Sequence, residues 1–373
     1  MNLSVHKKVL IPSLVYMGLI MFVIFIFPST FHLITGLELN WSRWDSGLYL
    51  QIAKEGIQFF PCGPSVGYPQ DCGLYCGNCG WAPAYSGLMY LLKPIFGNLA
   101  SAGVFISALF LWLSIYKITY FKAAQQDKYF YLYGLLLMVS FGSIYYYAIF
   151  PLSMALFFIL SALMAYLHKN WLALGIYSAC LIWVYSIGFV FAACMLFMLV
   201  VTFIRTPRLA IYPVLQTSGP IILSALAFFT FYHVHTGHWN ALFLTQQKYG
   251  HVLQTPWLVM QQRWHMFTAN WGKVDMAIEI QNYISILFFF FTVGLFLVKR
   301  DLTTLLILLV CMAGYGIPYS LGTQVSVYRS VATIAPLIIF IPPGSFKTLL
   351  SILIVYLALF IPMAWLFFAS ILY

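Results

Sequence analysis

Charge is what this sequence has least of. Lysine, arginine, aspartate and glutamate make up 7% of 373 residues, and only 8 side chains are acidic. A soluble domain carries roughly 25% charged residues, which excludes a fold built against water alone. Short alternating segments separated by turns are missing too, and this excludes an outer-membrane barrel. The apolar runs hold almost no ionisable residue and show no internal repeat. A transporter usually places charges near the midplane of repeated halves, so the chemistry is expected outside the spans. The first run, about 9–27, lacks a small-residue cleavage site and reads as a retained helix rather than a signal peptide.

What is present is 63% hydrophobic residues and a mean hydropathy of +0.92. Apolar runs of about 17–25 residues predict an all-α polytopic membrane protein. The spans fall near 9–27, 97–117, 130–148, 152–167, 171–187, 189–204, 210–232, 283–298, 302–320, 330–343 and 348–370. That is about eleven crossings in a single integral membrane domain, 1–373. The net charge of +10 comes from basic residues scattered singly between spans, a topology signal rather than a nucleic-acid footprint. A cytoplasmic N-terminus puts eleven of them, Lys117 and Lys122 included, in short inner loops beside only Asp127 and Asp301. Two long outer segments remain, 28–96 and 233–282. Aromatics reach 19%, and Tyr145-Tyr146-Tyr147 near a span end reads as part of an interfacial belt.

Residues 41–56 of the first outer segment read WSRWDSGLYLQIAKEG. Trp44, Leu48 and Ile52 recur at helical spacing, which predicts an amphipathic helix over 42–55 along the membrane surface. Ser42 is the expected N-cap and Gly56 the expected stop. Asp45 then stands beside the positive helix end, where a carboxylate either completes the helix start or is held for chemistry.

Four of the 7 cysteines, Cys62, Cys72, Cys76 and Cys79, crowd a Gly/Pro-rich insertion at 62–79. Cys180, Cys194 and Cys311 lie in apolar runs and read as ordinary buried side chains. Outside the cytoplasm four loop cysteines predict two disulfides, with three pairings open. A structural zinc site is the runner-up, although two CxxC pairs are lacking. A redox pair at Cys76-Gly-Asn-Cys79 is a third reading, without the thioredoxin-like context such a pair normally has.

With Arg43-Trp44-Asp45, Tyr49, Ile52-Ala53 and Gly56 in place, the segment resembles the PIG-V-like mannosyltransferases. These are GPI mannosyltransferase II and its bacterial relatives, in the GT-C class of polytopic glycosyltransferases. Trp81-Ala82-Pro83-Ala84-Tyr85 resembles the family's aromatic-x-Pro-x-Tyr segment, displaced by the cysteine insertion. His235-Thr236-Gly237, Gln246 and Tyr249-Gly250 match a second motif in spacing. Phe150-Pro151-Leu152-Ser153 and Tyr328-Arg329 with Pro336 are fainter echoes in the same order. The chain departs at Ile57, Tyr249 and His251, where the family has tyrosine, tryptophan and arginine. It also lacks the glutamate of the Ser-Glu-Ser turn, and the arginine and asparagine near Tyr185-Ser186-Ile187-Gly188.

The resemblance implies a GT-C-like bundle and inverting transfer of a sugar, mannose in the family, from a polyprenyl- or dolichyl-phosphate carrier. The acceptor would be a glycolipid, glycan or protein, the setting a bacterial inner membrane before an endoplasmic reticulum, and the active face periplasmic or lumenal. Asp45 matches the proposed base. The chemistry is coherent by itself: a lipid phosphate leaves as an anion, so one base suffices, unlike the two carboxylates of glycoside hydrolysis. No cofactor or metal is required. Glu38 is the second carboxylate candidate, and Asp71 reads as a turn residue. Arg329 is the candidate cation for the carrier phosphate, with snorkelling to headgroups as its plain alternative. Arg43 either pairs with Asp45 or holds the helix start. Trp44 and Tyr49 offer sugar-stacking surfaces. His235, Gln246, Lys248 and Tyr249 are candidates for the donor pocket, with Arg263 and His265 behind them. His233, His235 and His238 read as interface residues first and as imidazole ligands second. Two rival functions remain: a transporter or flippase of a lipid-linked sugar, and a membrane thiol oxidoreductase using Cys76 and Cys79.

Overall fold

The computed structural model describes residues 3–36, 40–205, 211–250, 253–273, 276–322, 327–343 and 346–369. Glu38, His251 and Asp275 lie outside them. α1 (Leu3–Met21) runs through a π turn, Phe22–Ile26, into α2 (Phe27–Thr35). The 33 residues together span about 50 Å at 1.5 Å per residue, longer than a bilayer core is thick. The π turn disturbs the backbone ladder, and the carbonyl of Ile24 accepts a hydrogen bond from Trp41 Nε1 at 3.0 Å. The expected boundary at 27 is therefore passed, because the helix continues to Thr35.

After α3 (Ser46–Glu55) come a two-stranded antiparallel hairpin, β1 (Phe59–Pro61) and β2 (Tyr75–Gly77), then α4 (Ala84–Phe96) and α5 (Leu99–Ala124). α6 (Phe130–Met138), α7 (Leu152–Leu167), α8 (Trp171–Val184), α9 (Ile187–Arg205) and α10 (Ile211–Thr236) follow. α11 (Ala241–Gln247) and α12 (Pro256–Ala269) lead to α13 (Met276–Lys299). α14 (Leu302–Cys311) passes through a second π turn into α15 (Ile317–Ser320). α16 (Val327–Ser330), a 3-10 segment Val331–Phe340 and α17 (Phe346–Phe368) close the chain.

Among the described residues seven helices are long and apolar enough to cross a membrane, and the chain is an all-α integral membrane protein. Leu152–Leu167, Trp171–Val184 and Val331–Phe340 are apolar but shorter. The stretch expected as a span at 130–148 is not one helix: α6 ends at Met138 and a 3-10 turn occupies Ser143–Tyr146. Tyr145, Tyr146 and Tyr147 are accordingly buried at 0–1% exposure, not in an interfacial belt. The phenols of Tyr146 and Tyr147 donate to the carbonyls of Ala332 and Met138, meeting backbone acceptors that have no water to turn to.

Lys117 and Lys122 also depart from expectation, since both lie inside α5 rather than in a loop. Lys117 Nζ donates to Ser161 Oγ at 2.7 Å and sits over the rings of Phe157 and Tyr177. Lys122, 1% exposed, donates to the carbonyls of Ile339 and Ile341 at 2.9 and 2.6 Å. It thereby caps the 3-10 segment that follows Arg329.

Candidate functional site

The chain enters the site through residues 40–46, and here the expected cap is wrong. Ser42 does not start a helix. Its N–H donates to Asn40 Oδ1 at 2.8 Å, and the Arg43 N–H donates to Ser46 Oγ at 3.1 Å. α3 begins four residues later, at Ser46, with Asp45 in the N-cap position. The Asp45 carbonyl accepts from Leu48 and Tyr49, but its carboxylate makes no capping bond. The side chain is spared for something else.

The backbone that aims it is strained. Trp44 has φ of +41°, a left-handed conformation that costs a side-chain-bearing residue roughly 1–3 kcal/mol. Packing holds it there: the Trp44 ring meets Phe367 edge-on at 5.9 Å, and Trp41 packs on Phe367 and Phe368. Arg43 Nη2 donates to the Phe368 carbonyl at 3.1 Å. The C-terminal helix α17 therefore clamps the turn that presents Asp45. Arg43 serves that clamp.

Asp45 pairs with Arg329, whose Nη1 donates to Asp45 Oδ2. The side chains are 25% and 16% exposed, so the pair is largely enclosed yet still open to a small group. The Arg329 guanidinium lies 5.6 Å from the centre of the Phe150 ring. Tyr49 and Tyr185 flank the pair. Burial raises both phenols above the ordinary tyrosine range; the Asp45 charge adds to the rise and Arg329 opposes it. Both stay neutral hydrogen-bonding groups. Tyr249 is pushed up to about 12, by burial first and by Asp45 next, which puts it within the field of the same carboxylate.

The cysteine insertion forms one wall support. Cys62 and Cys76 are joined by a disulfide, while Cys72 and Cys79 are free thiols. Two disulfides were expected; one forms, and it staples the β1–β2 hairpin in which Phe60 faces Cys76. With two of the four sulfurs bonded to each other, the four cysteines do not form a four-thiolate set, and Cys76 is bonded to Cys62 rather than to Cys79. Cys79 is instead fully buried, donating to the Gln58 carbonyl at 3.1 Å and meeting Thr245 Oγ1 at 3.3 Å. Burial pushes its thiol up from the usual cysteine value. The tight turn needs Gly77, at φ +119°, because a Cβ there would strike the Gln58 carbonyl.

Gly80 has a related role toward α11. Gln246 Nε2 donates to the Gly80 carbonyl at 2.8 Å, and a Cβ on Gly80 would stand 2.7 Å from that nitrogen. The Lys248 ammonium lies 4.8 Å from the Tyr249 ring centre, and Tyr249 meets Trp81 edge-on at 5.8 Å. Burial lowers the Lys248 ammonium from its usual value. The second long segment is thus docked on the first, with His238 packed against both Phe59 and Tyr75.

Of the residues singled out from sequence, the fold brings Asp45, Arg329, Tyr49 and Tyr249 together, with Trp44, Gln246 and Lys248 in the supporting walls. His235 is exposed, and its ring packs on Phe231 of its own helix. His233 stacks on Trp239 at 4.2 Å. Among the described residues no group of three or more His, Cys, Asp or Glu is placed to hold a metal. Arg263 is buried against Glu279 at 3.5 Å and belongs to a different cluster. Phe150 and Tyr185 are the residues sequence reading undervalued. The only signal for Phe150 was its place in a faint motif echo, and Tyr185 stood where the chain departs from the family pattern. Compared with known proteins, the chain matches no protein-family model, no curated protein and no solved structure.

Proposed function

We propose that the protein is an inverting glycosyltransferase of the GT-C type, with Asp45 as its base. It moves a sugar, mannose by the family resemblance, from a polyprenyl- or dolichyl-phosphate carrier to an acceptor hydroxyl at the outer membrane face. The observation that carries this reading is the pairing of Asp45 with Arg329 in a partly open, aromatic-walled site.

In an inverting displacement the base and the leaving group work on opposite faces of the anomeric carbon. A carboxylate and a guanidinium in direct contact must therefore part by the width of a sugar ring when the donor enters. The carrier phosphate supplies the means, because its oxygens compete for the guanidinium with charge-assisted bonds at least as strong. Arg329 then faces the negative charge that grows as the C–O bond to phosphate breaks. Asp45, released, takes the proton of the attacking hydroxyl, a contribution worth roughly 10²–10⁴-fold. Phe150 holds the guanidinium from behind, and Trp44 and Tyr249 offer rings to the sugar. The outer-face assignment rests on the excess of basic residues in the connections at the opposite end.

The decisive assay measures transfer of labelled mannose from polyprenyl-phosphate-mannose to membrane extract, comparing wild type with Asp45→Asn at equal folded protein. Loss of transfer supports the reading. Retained transfer overturns it.

A further inference from the structure

A second polar cluster lies where α12, α13 and α15 meet, and nothing in the proposed transfer uses it. Its centre is the ion pair Arg263–Glu279, 3.5 Å apart with side chains only 4% and 5% exposed. Asn282, 1% exposed, donates from Nδ2 to Glu279 Oε2 at 3.4 Å. The Arg263 guanidinium lies 5.6 Å from the centre of the Tyr319 ring. Tyr283, the next residue along α13, packs against Trp264 and Phe267 of α12. Gln254 is tied in by its N–H, which donates to the Ser320 carbonyl at 2.7 Å.

Four polar atoms of this cluster are buried with no hydrogen-bond partner among the described residues: Gln254 Oε1, Asn282 Oδ1 and the hydroxyls of Tyr283 and Tyr319. Each such atom costs roughly 1–3 kcal/mol, and native structures hold few of them. The Asn282, Tyr283 and Tyr319 atoms gather around one buried ion pair, with Gln254 held beside them at the end of α15, and such a concentration asks for a ligand. The chemistry of the set selects its class. Two amide oxygens need donors, and two phenols give and accept. An anion is opposed by Glu279 and the two amide oxygens. A cation is opposed by Arg263. A neutral group dense in hydroxyls satisfies all four atoms, and the Tyr319 and Tyr283 rings offer apolar faces to its C–H edges.

We infer that the Gln254–Arg263–Glu279–Asn282–Tyr283–Tyr319 cluster is a second binding site, for a neutral saccharide. The site stands on its own geometry and does not depend on Asp45 chemistry.

The test uses the full chain in phosphatidylcholine nanodiscs, which keeps glycoside detergents out of the measurement. Tryptophan fluorescence is titrated with the methyl glycosides of mannose, glucose and galactose, and separately with inorganic phosphate and Mg²⁺. At least one glycoside gives a saturable change, lost in Trp264→Phe and retained in Asp45→Asn. Tyr283→Phe and Tyr319→Phe each weaken that affinity about tenfold while the thermal midpoint of the sugar-free protein holds or rises, because a partnerless hydroxyl has gone. A purely structural cluster gives no glycoside response. That result overturns the proposal, as does a glycoside response indifferent to both Tyr→Phe changes, or an equal response to phosphate or Mg²⁺. Since this site binds sugar in Asp45→Asn whether or not the transferase reading holds, failure of this site and failure of that reading are told apart.

Discussion

Asp45 and Arg329 stand 284 residues apart in the chain and share one ion pair in the fold. The carboxylate is available for it because α3 starts at Ser46 without using the Asp45 side chain as a cap. Asp45→Asn keeps the shape of the residue and removes its charge. The transfer rate is expected to fall roughly 10²–10⁴-fold. Stability should drop by about 1–3 kcal/mol, since Arg329 loses a charged partner in a largely enclosed place. Thermal unfolding in nanodiscs, run beside the transfer assay, separates the two effects.

Arg329 is expected to matter through its fork of donors as well as its charge. Arg329→Lys keeps the charge but loses the paired N–H geometry that suits phosphate. The predicted outcome is a KM for the polyprenyl-phosphate donor raised about tenfold, equivalent to roughly 1.4 kcal/mol. Arg329→Ala should lower kcat as well, because the growing phosphate charge is then unmet. Steady-state kinetics with varied donor decides between the two patterns.

The hairpin disulfide closes a loop with a sequence separation of 14 residues, so breaking it with Cys62→Ser should destabilise by about 3 kcal/mol. Peptide mapping without reduction should recover Cys62 linked to Cys76. A membrane-impermeant maleimide should label Cys72, which is half-buried, and spare Cys79 until the protein is unfolded.

Cys79 also gives a pH signature. Burial raises its folded-state pKa, so the folded protein keeps a proton that the unfolded chain loses above about 8.5. Its contribution to stability is fully present below that pH and is lost as pH rises toward the raised folded value. Denaturation midpoints measured from neutral to alkaline pH should slope downward in the wild type and less so in Cys79→Ala.

Two glycines, one ending β2 and one just beyond it, should respond differently to alanine. At Gly77 the new Cβ meets backbone at positive φ, and a loss of at least about 2 kcal/mol is expected. At Gly80 it meets the mobile end of Gln246, so the protein gives up about one hydrogen bond, roughly 0.5–1.5 kcal/mol. Gly80→Ala should therefore fold, and its transfer activity reports whether the position of Gln246 matters.

Composition alone settles the class of molecule. Scarce charge and long apolar runs leave only a membrane helix bundle, because backbone polar groups in lipid must be satisfied within each segment. It also singled out Asp45, since with only 8 acidic residues few carboxylates compete for the role. What the fold alone set is how that carboxylate is presented and what it pairs with. Helical periodicity put the start of α3 at Ser42, and the packing of Trp41 and Trp44 on Phe367 and Phe368 moved it to Ser46. Composition placed Tyr145–Tyr147 at an interface, whereas the break after α6 turns all three inward, with the Tyr146 and Tyr147 phenols on the carbonyls of Ala332 and Met138. Cysteine counting gave several pairings, and strand register chose one. Local patterns report a residue's neighbours along the chain, while ion pairs, clamps and disulfides depend on distances that only the folded backbone sets.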